Sequence, residues 1–161
     1  MTTISRFLAD DHARLDALLA RAAHDDAAYA EFRKGLLRHI GMEEKVLLPA
    51  AQRARGGEPL PAAARLRLDH GALAALLVPT PTPAILRAIH GILALHNPIE
   101  EDPDGVYAEC DRLLVGERAA IVARLEAAPE VPVNAHVDSD LVMQALGRAL
   151  ARAGYTLEQF E

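Results

Sequence analysis

The chain has 161 residues, 51% of them hydrophobic, with a single cysteine and a formal charge of −6. That is enough apolar material for one globular core, and the lone Cys110 excludes an internal disulfide or a thiolate metal cluster. Charges of both signs are interspersed and aromatic residues make up only 4%, so neither a basic stripe for phosphate backbones nor a stacking platform for bases is on offer, and nucleic acid and anionic membranes are not expected partners.

The opening MTTISRFLADDHARLD lacks the basic, then apolar, then small-residue order of a secretory signal, and no apolar run approaches bilayer length. A cytoplasmic location is the expectation. Ala, Leu, Arg and Glu recur at helical spacing while strand-type alternation is missing, which predicts an all-α fold.

The first helix is expected to start after Thr2 or Thr3, to bury Ile4, Leu8, Leu15 and Leu19, and to end near His24 to Asp26. A second starts around Asp26 to Tyr29 and continues to about Ala54, where RGGEP stops it, with Pro49 kinking its last turns. A third opens at Pro61, where a missing N–H costs nothing, and closes before the Pro79 to Pro83 connector. A fourth runs from Pro83 through His96, after which Pro98 and Pro103 bend or break it. Val106 to Ala127 forms a further amphipathic segment interrupted at Gly116. Past APEVPVNAHV, Asp138 or Ser139 caps a final helix with an apolar stripe of Leu141, Val142, Ala145, Leu146, Ala149 and Leu150, stopped by Gly154. The expected division is 1–128 as the main helical unit and 129–161 as an extension whose helix packs on that unit or on a second copy of the chain.

Residues three and four apart share a helix face, and four histidines interrupt the apolar line of their own helix. His12 lies between Leu8 and Leu15, His39 between Leu36 and Leu47, His70 between Leu66 and Leu73, and His96 follows Ile89 and Ile92. Two of them carry a carboxylate at i+4, Glu43 after His39 and Glu100 after His96. One histidine on an apolar face is usually a hydrogen-bonded core residue, but four in register with two glutamates need a cation among them, because a buried unpaired carboxylate costs several kcal/mol. Imidazole and carboxylate without thiolate suit iron, manganese or zinc; six donors, two of them able to bridge, favour a pair of irons over four-coordinate zinc. Glu44, Asp11 and Asp69 point about 100° away from these lines and are expected at the surface or in a supporting role. His90 is off the line, His24 and His136 fall in connections, and Tyr107, which could reach the centre as a hydrogen-bond donor or radical site, is read first as a packing residue.

His12, HIGMEEKVLLP, DHGAL and HNPIEE together resemble the hemerythrin-like, HHE cation-binding family over about residues 3 to 127. The resemblance implies an up-down four-helix bundle, here with additional C-terminal helices, and a non-haem di-iron centre bound by His12, His39, His70 and His96 and bridged by Glu43 and Glu100. It implies a protein that binds dioxygen or another small diatomic such as nitric oxide, for storage or sensing, rather than an enzyme. The alternatives are a di-iron peroxidase or oxidase acting on reactive oxygen species and a metal-dependent regulatory module. Two departures stand out: the family's oxygen carriers place a second histidine where this chain has Ala74, and their last carboxylate would fall on Glu101 rather than Glu100.

Overall fold

Short polar side chains set where the helices begin. Thr3, Asp25, Thr82 and Ser139 each accept a hydrogen bond from a backbone N–H in the first turn that follows, which is typically worth about 1 kcal/mol per cap. The computed structural model describes residues 2–161, and among them no strand occurs. The elements are α1 (Ile4–Arg21), α2 (Asp26–Met42), a π turn (Glu43–Leu47), α3 (Leu48–Ala54), α4 (Ala63–Leu76), α5 (Pro83–Glu101), α6 (Val106–Leu113), α7 (Arg118–Glu126), α8 (Asp140–Ala153) and a closing 3-10 turn (Glu158–Phe160). None of these helices is long and apolar enough to cross a membrane.

Two proline expectations are corrected. The second long helix is interrupted ahead of Pro49, at the π turn, where the Leu48 N–H reaches back five residues to the Glu43 carbonyl. Pro49 then falls in the first turn of α3, where its missing N–H is not needed. Nor does Pro98 end the fourth helix, since α5 continues through it to Glu101. Pro98 and Ala94 are both exposed, so the carbonyl that the proline leaves without a helical partner lies on the solvent side of α5.

The buried apolar residues form two clusters. One gathers Leu15, Phe32, Leu36, Leu73, Leu76, Ile89 and Ile92 with Leu146 and Leu150 of α8. The other gathers Ile4, Leu8, Met42, Leu47 and Leu66 with residues of α6 and α7. The four interrupting histidines lie where one cluster gives way to the other: His12 follows Leu8 of the second and precedes Leu15 of the first, and His70 lies between Leu66 and Leu73 in the same way. A polar layer thus divides the core.

Gly35 lets α1 and α2 come close, since a Cβ there would sit 2.7 Å from a Leu15 methyl and 3.0 Å from the Arg14 guanidinium. α8 packs along α4, burying Leu146, Ala149 and Leu150. The rest of its expected stripe is corrected: Leu141 is 74% exposed and Ala145 is also exposed, because the first turns of α8 extend beyond the surface it covers.

Candidate metal centre

Each of α1, α2, α4 and α5 turns one histidine inward, and His12, His39, His70 and His96 are all at least 95% buried. Glu43 and Glu100 lie among them, 1% and 0% exposed. Their ligand-type atoms fall into two overlapping groups, His12, His39, Glu43 and Glu100, and Glu43, His70, His96 and Glu100, each with its atoms within 4.8 Å of one another. All six expected donors are therefore brought together, and both glutamates belong to both groups. These buried groups could hold a metal ion.

The outer ring nitrogens show which way the imidazoles are set. Every Nδ1 meets a carboxylate on a neighbouring helix: His39 meets Asp11 at 2.8 Å, His70 meets Glu44 at 3.1 Å, His96 meets Asp69 at 3.0 Å, and His12 meets Glu101. The links run from α1 to α2, from the π turn to α4, from α4 to α5 and from α5 back to α1, closing a circuit around the site. A carboxylate accepts, so each Nδ1 carries a proton and each Nε2 turns inward, the arrangement in which an outer carboxylate orients a metal-binding imidazole. Two of the four outer carboxylates are anchored further: Asp11 takes the Arg14 guanidinium, and Asp69 takes Arg65 and the Tyr155 hydroxyl.

Inside the circuit four donor atoms lack partners. Glu43 Oε2, His70 Nε2 and both carboxylate oxygens of Glu100 are buried with no hydrogen bond, although His70 Nε2 is 2.9 Å from Glu43 Oε2 and His96 Nε2 is 3.1 Å from Glu100 Oε1. These atoms face one another at close range without the alignment of a hydrogen bond, and leaving buried polar atoms in that state costs about 1–3 kcal/mol each. Spacings near 3 Å are what neighbouring ligands show around an octahedral cation with bonds of about 2.1 Å. The residues present fit a cation.

Charge gives the same reading. Burial lowers the pKa of His39, but Glu43 and Asp11 beside it outweigh burial and raise it to about 10. Burial pushes the Glu100 carboxyl well above its usual range and the nearby Glu43 adds to this, whereas His39 and His70 overcome burial at Glu43 and hold it well below. Both shifts favour the protonated forms of His39 and Glu100, the positive charge that a metal would otherwise supply among these carboxylates.

Next to the four imidazoles is a small cavity of about 10 Å³, lined also by Leu15, Leu36, Leu73, Leu93, Asp16 and Asn97. That is room for a water-sized molecule. An open cleft of about 400 Å³ lies beside it and shares Asp16, Leu93 and Asn97 with its wall.

Of the last two glutamates, Glu100 lies inward and Glu101 is half-exposed on His12 Nδ1. His90 and His24 are exposed, and His136 bonds the Val78 carbonyl far from the site. Ala74 brings no donor. An extra oxygen comes instead from Tyr107 on α6, which is not the packing residue expected: its hydroxyl donates to Glu43 Oε1 and lies 3.2 Å from Nε2 of both His12 and His39. Comparison of the chain with protein-family models, curated proteins and solved structures gives no match.

Proposed function

We propose that the chain is a hemerythrin-like, HHE-type non-haem di-iron protein that binds dioxygen or nitric oxide for storage or sensing, with α1, α2, α4 and α5 as its up-down four-helix bundle. The observation that carries this reading is the set of unpartnered buried donors around two shared glutamates. His12 and His39 would hold one iron, His70 and His96 the other, and Glu43 and Glu100 would bridge them. Two overlapping groups with two common carboxylates support a dinuclear centre over a single four-coordinate zinc, and the absence of thiolate among the donors suits iron. When bound, ferrous ions supply the electrons that dioxygen takes up.

The chain's own residues supply the rest. The outer carboxylates fix the rings, four leucines line much of the space beside the donors, and a cavity with room for about one water-sized molecule suits a small diatomic better than an organic substrate. A second reading, reduction of peroxide, is favoured by one feature: Glu44 and Glu101 are each over a third exposed while bonded to an inner imidazole, so they can pass protons between solvent and the site.

Metal analysis of the purified protein, with optical spectra recorded on the reduced protein and again after exposure to air, tests the proposal. Two irons per chain and a spectrum that changes reversibly with oxygen are expected. Rapid, irreversible consumption of peroxide would favour the enzyme. Zinc, or a chain that takes up no iron, would leave only a metal-dependent regulatory role or none.

A further inference from the structure

Tyr107 is 1% exposed, yet its hydroxyl is not tied to a backbone carbonyl or turned to solvent as buried tyrosines usually are. It donates to Glu43 and stands 3.2 Å from the inner nitrogens of His12 and His39. Those are three donors of one group, and no hydrogen bond among the described residues joins it to His70 or His96. His39 Nε2 and Glu43 Oε1 are themselves 3.0 Å apart, so the phenol oxygen sits at the spacing of one more neighbouring ligand around a common point.

We propose that Tyr107 is a seventh protein donor, binding through its phenol oxygen the metal held by His12 and His39. This rests on the metal-centre reading above. On binding ferric iron the phenol releases its proton to solvent and its oxygen lone pair enters the metal's coordination sphere, with no change in oxidation state. The two positions then become unequal. One has two imidazoles, a phenolate and the shared glutamates; the other has only His70, His96 and the glutamates. Open positions concentrate on the second metal, so a small exogenous ligand such as azide binds there. Hard, anionic oxygen also favours the ferric over the ferrous state at the first position, which gives the two metals different tendencies to be oxidised.

Tyrosinate bound to ferric iron absorbs in the visible, and excitation in that band enhances phenolate ring modes in the Raman spectrum. The chain has three tyrosines, and the other two, Tyr29 and Tyr155, make no hydrogen bond to the six inner donors. The full chain, Tyr107→Phe and Tyr29→Phe are loaded with ferric iron, and iron per chain is measured beside both spectra. The wild-type chain and Tyr29→Phe are expected to show the band and the ring modes, and Tyr107→Phe to lose both while still holding iron. If Tyr107→Phe does not fold, the double variant Tyr29→Phe, Tyr155→Phe leaves Tyr107 as the only tyrosine and must retain the band. Wild-type protein that holds iron without a tyrosinate signal, or a signal that survives Tyr107→Phe, overturns the seventh donor and leaves the metal centre standing. Wild-type protein that takes up no iron overturns both.

Discussion

Asp11, Glu44, Asp69 and Glu101 are each one position away from an inner donor, at His12, Glu43, His70 and Glu100. One residue is about 100° of helix, so a side chain next to an axis-facing residue points into the seam with the adjoining helix. That is why Asp11 supports His39 rather than its neighbour His12, and Asp69 supports His96 rather than His70. The inner donors were legible because each lies on its own helix's apolar line; for Asp11, Glu44 and Asp69 the sequence offered only a surface or supporting role, and for Glu101 a rival place among the ligands, because the partners of all four belong to other helices. Replacing an outer carboxylate, as in Asp69→Asn or Glu101→Gln, is expected to weaken metal binding by about 10- to 100-fold, read by competition with a chelator of known affinity. His39→Ala and Glu43→Ala should remove most of the bound metal and keep much of the helical circular dichroism, whereas His90→Ala, on the surface, should change neither. Undiminished metal in the first two variants sinks the ligand assignment.

The elements outside the four long helices are what complete the site. α6 carries Tyr107, and its position depends on Gly105, where an added Cβ would lie 2.7–2.9 Å from three backbone carbonyls, those of Glu100, Ile99 and Asp102. The backbone there is extended, so the demand for glycine is one of space, and backbone atoms cannot swing aside as a side-chain tip can. Gly105→Ala should destabilise the chain by about 1–3 kcal/mol, typical of overpacking, and shift Tyr107 relative to the histidines; an unchanged melting temperature would show that α6 relaxes freely. The C-terminal segment reaches the site as well. Tyr155, just past α8, donates to Asp69 at 2.9 Å, and Asp69 in turn holds His96. Tyr155→Phe removes this one bond and is expected to weaken metal retention less than Asp69→Asn does, in the same chelator competition. The later part of the α8 stripe, Leu146, Ala149 and Leu150, was legible, but nothing in its own sequence marks α4 as its partner.

For the molecule as a whole, the site sets how stability depends on pH. Without a cation, His39 titrates in the folded chain at about 10 against an ordinary 6.5, and the Glu100 carboxyl is likewise raised well above its ordinary value. A raised pKa means that the folded state binds the proton more tightly, so the His39 contribution is fully present below 6.5 and is lost as pH climbs towards 10, while the Glu100 contribution starts to be lost at lower pH, above its ordinary 4.5. A bound metal must displace those protons, so its affinity rises over the same range. Thermal melts of chelator-treated and metal-loaded protein across that window should therefore diverge, the first falling with pH and the gap between them widening. A chelator-treated protein whose melting temperature is flat with pH would count against proton substitution at the site.

Taken alone, the sequence determined the helical class, most helix limits and the lines of inward donors, with Glu100 and Glu101 as rivals for the last place, because caps and 3.6-residue periodicity act within one helix and within reach of a few neighbouring residues. The tertiary structure decided what no single helix contains: the carboxylate circuit across four seams, the inward placement of Glu100 over Glu101, the continuation of α5 through Pro98, and the arrival of Tyr107 from another element. Each of these depends on which atoms meet across helix interfaces, and that is fixed by packing the two apolar clusters on either side of the histidine layer.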